Sequence, residues 1–194
     1  MSQKDDQHYI DAINSGNTKS FSVLVDRYKH MVFTLASKIL KNHEEAEEVA
    51  QDVFVKAYTA LITFKGDSKF STWLYKIAYY RSLDELKKQK RRLNTSSIDS
   101  DAEFHLSEME NALDTLEANE RKHAIKSAIE ELPPDDAVVI TLHYFEDLSL
   151  KEIAAIMNLE SNTVKVRLFR SRKRLARLLA SKLAPEILGN YGRK

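Results

Sequence analysis

Two helix-periodic segments near the C-terminus, separated by only three residues, place the strongest constraint on the fold. The first runs from Ser149 to Met157, and the second begins at Ser161 and extends to about Leu179. Ser149 and Ser161 stand where N-cap side chains accept backbone N–H groups. Steps of three and four residues predict that the second helix turns one stripe inward, consisting of Val164, Leu168, Ser171, Leu175 and Leu178. This pattern is typical of a helix–turn–helix.

The second helix carries charge of one sign. Between Ser161 and Pro185 there are eight Lys or Arg residues and no carboxylate. A solvated helix usually mixes both signs for i,i+4 pairing, so this one predicts an anionic partner, and the major groove of DNA admits one helix. An advance of 100° per residue places opposite the inward stripe Asn162, Val166, Phe169, Arg170 and Lys173, flanked by Lys165, Arg167, Arg172 and Arg174. We interpret it as a DNA-recognition helix; the alternative is a basic amphipathic helix on a membrane or an acidic partner.

Composition predicts an all-helical protein without a metal, a cofactor or a disulfide. The 194 residues include only four Gly and three Pro, and 30% are charged. The six His show no metal-ligand spacing, and Cys is absent. The N-terminal stretch has no apolar signal region, and no apolar run approaches the roughly 20 residues that a membrane span needs. These features predict a cytoplasmic chain with no membrane insertion.

Charge is unevenly distributed and predicts the domain organisation. Residues 93–120 contain eight acidic and no basic side chains, whereas the segments on both sides are mildly basic. A polar, acidic stretch of this kind cannot bury enough apolar surface to fold alone. We therefore predict an acidic flexible linker at 93–116, joining two small helical domains at 1–92 and 117–184, with a tail at 185–194.

The first domain reads as a series of helices. A short one from Asp6 to Ser15 is closed by Gly16, and Thr18 is predicted to cap a longer one that ends near Leu40. The third, in NHEEAEEVAQDVFVKAYTALITF, places four Glu in its first turns, where they suit the helix dipole. Steps of three and four residues predict the inward sides of these two helices, which are Phe21, Leu24, Val25, Tyr28, Val32, Leu35, Ala36 and Ile39 in the second and Ala46, Val49, Ala50, Val53, Phe54, Ala57 and Leu61 in the third. A polar loop follows, in which Gly66 allows a left-handed turn and either Ser71 or Thr72 is predicted to cap the next helix.

The fourth predicted helix, from about Thr72 to Arg92, mixes aromatic and cationic side chains and ends in KKQKRR. Rings interleaved with cations are typical of single-stranded nucleic-acid binding, because bases stack on rings while cations follow phosphates. Burial in the core is the favoured interpretation for Trp73. Both interpretations stay open for Tyr75, Tyr79 and Tyr80, and the basic end is either a phosphate contact or a favourable C-terminal charge cluster.

The second domain begins with two more predicted helices, from Glu117 to Leu132 and from Asp135 to Phe145, broken at two prolines. Their apolar residues are expected to form the wall on which the helix–turn–helix packs, namely Val138, Val139, Leu142 and Phe145. No catalytic constellation appears, because the chain has no Gly-rich phosphate loop, no HExxH motif and no clustered His with a nucleophile.

Two blocks of sequence in this order resemble a known family. AEEVAQDVFVKAY with FKGDSKFSTWLYKIAYYRSLDELKKQKRR, and later SLKEIAAIMNLESNTVKVRLFRSRKRL, look like the two conserved domains of an extracytoplasmic-function sigma factor of bacterial RNA polymerase. The resemblance covers nearly the whole chain. It implies a non-enzymatic initiation subunit that binds core RNA polymerase and promoter DNA, and it adds an anti-sigma factor as a candidate partner.

The resemblance also implies roles for individual residues. Polymerase docking falls on the segment 48–58, with Gln51, Asp52 and Val55 as the expected contacts. Capture of a flipped-out base of the minus-ten element falls on the loop 64–71 and its surroundings, with expected contacts at Lys56, Phe64, Gly66, Asp67, Ser68, Lys76, Tyr79 and Tyr80. The basic end of the fourth helix is expected to contact phosphates through Lys87, Lys88 and Lys90. Reading of the minus-thirty-five duplex falls on Lys165, Val166, Phe169 and Arg170, and the outer face predicted from periodicity adds Asn162, Arg167 and Lys173.

This sequence departs from the family pattern at three of these positions. Tyr80 stands where many relatives have Asn, Asn162 where Gly is common, and Val166 where Ser is usual. Two other classes of protein stay open from the residues alone. An ordinary repressor or activator would bind a palindromic duplex as a dimer, but the chain shows no spare apolar seam for one. An enzyme acting on nucleic acid would need an active site, and the sequence shows no catalytic constellation that could form one.

Overall fold

The computed structural model describes residues 5–93 and 118–191, and the regular elements in these ranges are all helical. The all-α prediction is therefore confirmed, while the predicted linker lies outside the described residues except for Leu93. The α-helices are α1 (Asp6–Asn14), α2 (Phe21–Leu40), α3 (His43–Ala60), α4 (Phe70–Leu93), α5 (Ala118–Glu131), α6 (Pro134–Tyr144), α7 (Leu150–Met157) and α8 (Ser161–Tyr191).

The chain contacts define two compact units. The first consists of the described residues up to Leu93 together with Lys151–Leu159, and the second of those from Ala118 to Leu150 and from Glu160 onward. Within the described ranges, no helix is long and apolar enough to cross a bilayer.

The core of the first unit lies where α2, α3 and α4 pack against one another. The inward faces predicted from three- and four-residue steps are largely confirmed, since Leu24, Val32, Leu35 and Ile39 of α2 are at most 1% exposed. On α3, Ala46, Val49, Val53, Phe54 and Ala57 are buried. Asn42 caps α3 by accepting the backbone N–H of Glu45 at 3.2 Å, so the acidic first turn begins at a satisfied helix end.

The connection from α1 to α2 combines a glycine turn with a half-buried ionic cluster. Gly16 has φ +99°, and the N–H of Asn17 donates to the carbonyl of Ala12, which closes α1 as predicted. The Asp6 carboxylate accepts hydrogen bonds from the Arg27 guanidinium and the Tyr28 hydroxyl of α2. Burial, assisted by the Asp6 hydrogen bond, raises the pKa of Tyr28 well above its usual value.

Two predicted helix starts in the first unit are wrong. Thr18 opens a short 3-10 turn (Thr18–Ser20), and α2 begins only at Phe21 without a side-chain cap. Helix α4 begins at Phe70, where Trp73 N–H donates to the Lys69 carbonyl at 3.2 Å, so Ser71 and Thr72 lie inside the first turn. Helix α2 thus begins later than expected, whereas α4 begins earlier, because the ring of Phe70 is buried in the core and its residue already belongs to the first turn.

The second unit forms where α5 and α6 pack along α8. Pro134 occupies the first position of α6, where its missing N–H has no intrahelical partner to lose. Val138, Val139 and Leu142 are fully buried, and the helix that carries them packs on α8. Phe145 was expected there as well, but it follows the last residue of α6 and is 60% exposed, so that part of the prediction is wrong.

The helix–turn–helix has the predicted three-residue turn at Asn158, Leu159 and Glu160. Asn158 adopts φ +54°, a conformation that asparagine tolerates better than most residues. Helix α8 already includes Ser161, the expected cap, since Val164 N–H donates to the Glu160 carbonyl; the cap position therefore falls on Glu160, one residue earlier than predicted.

The inward stripe of α8 starts as predicted and then changes register. Val164, Leu168 and Ser171 are buried, and further along the helix Ala176 and Leu179 are buried, whereas Leu175 and Leu178 are only half-buried. A helix with 3.6 residues per turn drifts away from a fixed seven-residue spacing. Helix α8 also continues to Tyr191, past the predicted start of the tail at 185.

Candidate nucleic-acid interface

The outer face of α8 presents the side chains that were predicted for a DNA-recognition helix. Asn162, Lys165, Arg170 and Lys173 are exposed, and two apolar side chains lie among them, with Val166 49% and Phe169 55% exposed. These positions follow one another at three- and four-residue steps, so they share one side of the helix. The face is polar and cationic, with an apolar pair at its centre.

Arg167 differs from the other members of the predicted set, because it is half-buried and already paired. Its Nη1 lies 2.7 Å from a carboxylate oxygen of Asp135 in the first turn of α6. One residue further, Asp136 is buried and pairs with Arg174, about two turns beyond Arg167 on α8. The two aspartates suit the N-terminal end of the α6 dipole, and they attach two arginines of α8 to α6.

The paired arginines therefore do structural work that sequence periodicity did not predict. They form one side of a groove along α8 lined by Asp136, Asn162, Thr163, Val166, Arg167, Arg170 and Arg174. Helix α8 is also attached to α5, because the Lys182 ammonium donates to Glu131 and, at 3.0 Å, to the Ser127 hydroxyl. Helix α8 is thus attached to α5 and α6 by ionic contacts at three points along its length.

In the first unit, the predicted strand-binding loop stands on a cluster of aromatic rings. Phe64 contacts Phe70 at 5.8 Å and Trp73 at 5.4 Å between ring centroids, and Phe70 in turn contacts Tyr28 at 5.6 Å. Such tilted and edge-to-face pairs stabilise beyond their buried area. The rings fix both ends of the loop, and leave its polar tip, residues 65–69, exposed.

The cluster changes the roles of two predicted residues. Phe64 is half-buried and packs on its neighbours, so it anchors the loop more than it faces outward. Trp73, which was favoured as a core residue, is half-buried beside it. Gly66 has the predicted left-handed conformation, with φ +77°, and Asp67 and Ser68 beside it are exposed.

The four aromatic residues predicted on α4 divide between core and surface. Tyr75 and Tyr79 are 2% and 5% exposed, whereas Tyr80 is 38% exposed. A base needs an open ring face for stacking, so Tyr79 is removed from the expected strand contacts. Lys76 and Tyr80 are both exposed and four residues apart, which places a cation and a ring on the same side of α4. Lys56 of α3 is exposed as well.

The basic end of α4 is exposed but partly balanced by acidic neighbours. Lys88 pairs with Glu85 at 2.9 Å and Lys87 lies 3.9 Å from Asp84, each three residues away on the same helix. Lys90 is exposed. Exposed pairs of this kind contribute about 0.2–1 kcal/mol, so they are readily exchanged for contacts with phosphate.

The expected polymerase contacts lie on the outer side of α3. Gln51 and Asp52 are exposed, and Val55 is 66% exposed. Asp52 also pairs with Arg81, which joins α3 to α4. Val55 borders an apolar groove between the start of α2 and the end of α3, lined by Thr18, Lys19, Phe21, Ser22, Val25, Asp26, Phe54, Val55, Tyr58 and Thr59.

This groove was missed in the sequence, although a signal for it exists. Val55 and Tyr58 line the groove and are exposed three residues apart on the outer side of α3. Ile62, 83% exposed, follows four residues later in the short 3-10 turn Leu61–Thr63. Exposed apolar side chains in a row often mark an interaction surface.

Among the described residues, no group of three or more His, Asp or Glu is arranged to hold a metal ion.

Comparison with known families identifies both units. Residues 24–92 match sigma-70 region 2, and residues 122–175 match sigma-70 region 4. The chain is similar to the RNA polymerase sigma-H factor of Pseudomonas aeruginosa, with 35% identity over 187 residues that cover 92% of this chain and 96% of that protein. It is also similar to the ECF RNA polymerase sigma-E factor of Escherichia coli K12, with 38% identity over 177 residues, covering 88% and 92%.

Two solved structures share the fold. One is the sigma factor RpoE in complex with the anti-sigma factor NepR from Bartonella quintana, with a TM-score of 0.63 and 23% identity over 83% of this chain and 97% of that one. The other is CnrH in complex with the cytosolic domain of CnrY, with a TM-score of 0.58 and 24% identity over 91% and 97%. At this level of identity the likeness concerns the fold.

Proposed function

This chain belongs to the extracytoplasmic-function sigma factors of the sigma-70 family, and from that membership we propose how its residues divide the work of promoter recognition. It is a transcription initiation factor, not an enzyme, and it directs core RNA polymerase to promoter DNA. The observation that carries this conclusion is that one chain matches both region 2, at 24–92, and region 4, at 122–175. Region 2 acts at the minus-ten element and region 4 at the minus-thirty-five element.

In region 4, the exposed face of α8 reads the minus-thirty-five duplex. Its proposed contacts are Asn162, Lys165, Val166, Phe169, Arg170 and Lys173, with Arg167 contributing only after it leaves Asp135. The support is physical, because these side chains are exposed and cationic or polar and the major groove presents base edges beside phosphates. Arg170 is the proposed base or phosphate contact with the largest single contribution.

In region 2, the exposed loop tip and one side of α4 hold the opened minus-ten strand. The proposed contacts are Lys56, Gly66, Asp67, Ser68, Lys76 and Tyr80, while Phe64 supports the loop from below. An unstacked base can be sandwiched by a ring and read on its edges, which a paired base cannot. Tyr80 is therefore proposed to stack on a base, and Lys87, Lys88 and Lys90 to contact phosphates.

Docking on core polymerase is proposed for the outer side of α3, through Gln51, Asp52 and Val55. The neighbouring apolar groove, with Phe21 and Tyr58, is included because Val55 lines it. An anti-sigma factor is a further proposed partner, and a cytoplasmic location follows from the polymerase and promoter partners.

Run-off transcription from a genomic library tests the proposal. Core polymerase with the purified chain is expected to yield a defined set of transcripts whose upstream sequences share two elements, and core polymerase alone is expected not to. Arg170→Ala should reduce promoter-directed initiation by the equivalent of about 1–3 kcal/mol, and Tyr144→Ala, an exposed change elsewhere in region 4, serves as the matched control. Equal transcription by the two variants would contradict the assignment of the recognition face.

A further inference from the structure

Two neighbouring apolar side chains interrupt the otherwise polar outer face of α8. Val166 is 49% exposed and Phe169, three residues later, is 55% exposed. Their neighbours on that face are polar or cationic, namely Asn162, Lys165, Arg170 and Lys173. Apolar surface left in water is unfavourable, so a pair of exposed apolar residues at the centre of a cationic face calls for an apolar partner.

The contacts of Phe169 limit what that partner can be. The Lys173 ammonium lies over the Phe169 ring at 4.8 Å from its centroid, in cation–π geometry. One face of the ring is therefore covered by a charge, and the apolar surface that stays open is shared with Val166. This surface is small, and it is bordered by cations that attract phosphates. A partner must combine a strong negative charge with a small apolar group.

Duplex DNA has one such group on the base edges of its major groove, the 5-methyl group of thymine. The other base-edge atoms there are hydrogen-bond donors and acceptors, which a valine side chain cannot satisfy. A valine facing cytosine, adenine or guanine would leave those groups without water or a protein partner, which costs free energy.

We propose that Val166, with Phe169 beside it, is a specificity-determining residue that selects a thymine in the minus-thirty-five element through its 5-methyl group. The inference rests on the proposed function of α8 and goes beyond it by naming the chemical group that is read. Asn162, Val166 and Arg170 are spaced by four residues, or about 6 Å along the helix, which corresponds to roughly two base-pair steps of about 3.4 Å. The selected thymine thus lies inside the element, between the bases or phosphates that Asn162 and Arg170 contact.

Replacement of thymine by deoxyuridine tests this inference, because it removes the methyl group and leaves every hydrogen-bonding group in place. The probe is a duplex promoter recovered by run-off transcription, in which the thymines of the minus-thirty-five element are replaced one at a time. Binding is measured with holoenzyme assembled from core polymerase and either the wild-type chain or Val166→Ala. Val23→Ala, a change at an exposed valine of α2 outside the proposed interfaces, is the matched control.

We expect one internal thymine at which deoxyuridine weakens binding of the wild-type holoenzyme about fourfold, the effect of one buried methyl group. Val166→Ala should weaken binding to the unmodified promoter to a similar extent and should abolish the difference between thymine and deoxyuridine. Val23→Ala should retain that difference.

Three results would overturn the inference: a minus-thirty-five element without thymine, no penalty for deoxyuridine at any position, or a penalty that persists in Val166→Ala. In each of these cases the wild-type holoenzyme still initiates at its promoters, so the proposed function stands. A failure of the proposed function is a different observation, namely no promoter-directed initiation by the wild-type chain.

Discussion

The ion pair between Arg167 and Asp135 gives a quantitative prediction about DNA binding. The two groups are 2.7 Å apart, and their side chains are 31% and 37% exposed. At that distance in water the Coulomb attraction is about 1.5 kcal/mol, and exposed pairs retain about 0.2–1 kcal/mol after the entropy of ordering two side chains. A phosphate must compete with Asp135 for Arg167, so the carboxylate subtracts a similar amount from DNA affinity.

We therefore expect Asp135→Asn to strengthen binding of the holoenzyme to promoter duplex by about 1.4- to fivefold. The slope of the logarithm of the DNA-binding constant against the logarithm of the salt concentration should become steeper by up to about 0.9, the value for one additional phosphate contact. The assay is equilibrium filter binding between 50 and 200 mM salt, a range in which phosphate contacts dominate the salt dependence. Asn retains the shape of the side chain, so loss of the pair should lower the free energy of unfolding of the variant by no more than about 1 kcal/mol.

The double variant Asp135→Asn with Arg167→Ala identifies the origin of the gain. If Arg167 is the cation that is released, the double variant should lose both the tighter binding and the steeper slope. The reasoning is refuted if Asp135→Asn binds no more tightly than the wild type, or if its gain survives the loss of Arg167. Either result would make Arg167 a purely structural residue that attaches α8 to α6.

Three further predictions concern stability and the basic end of α4. Leu142→Ala, which opens a cavity in a fully buried site, should lower the free energy of unfolding of the second unit by about 2–5 kcal/mol in urea titration, whereas truncation of the exposed Phe145 should change it by less than about 0.5 kcal/mol. In filter binding, a flatter salt dependence for all DNA sequences is expected when alanine replaces Lys87, Lys88 and Lys90; an unchanged slope would remove these lysines from the interface. The unfolding free energy of the wild type should decrease as the pH rises above about 10, the usual pKa of tyrosine. The reason is that the raised pKa of Tyr28 keeps its hydroxyl protonated in the folded state, while the unfolded chain loses that proton. Tyr28→Phe should not show this part of the decrease.

Much of the fold could be predicted because helical periodicity reports which side of a helix is buried. The inward residues of α2 and α3 and the three-residue turn of the helix–turn–helix are placed as expected. The errors have physical causes at element ends. Phe145 is apolar and follows the α6 pattern, but the helix stops at Tyr144 and its ring points to solvent. Leu175 and Leu178 were expected to face the core, but Ala176 and Leu179 are buried there instead. The reason is that α8 packs on two helices, and this packing decides which side of a long helix is buried.

The outer face of α8 could be predicted from composition, since a run of cations without carboxylates is visible in the sequence. The sequence did not predict which of these cations form ion pairs with carboxylates of the same chain. The pairing of Arg167 and Arg174 with Asp135 and Asp136 joins residues more than 30 positions apart, and no local pattern encodes that contact. The same holds for the burial of Tyr79 beside the exposed Tyr80, which depends on how α4 rotates against α2 and α3.

Permanganate reactivity of unpaired thymines tests most directly the claim that the two regions recognise a promoter together on core polymerase. The promoter is one recovered by run-off transcription, probed with the chain alone, with core polymerase alone and with both. We predict reactive thymines across the minus-ten element only when both are present, and a loss of that reactivity with Arg170→Ala at high salt. Opening of the minus-ten element by core polymerase without the chain, or no opening with both, would contradict the account.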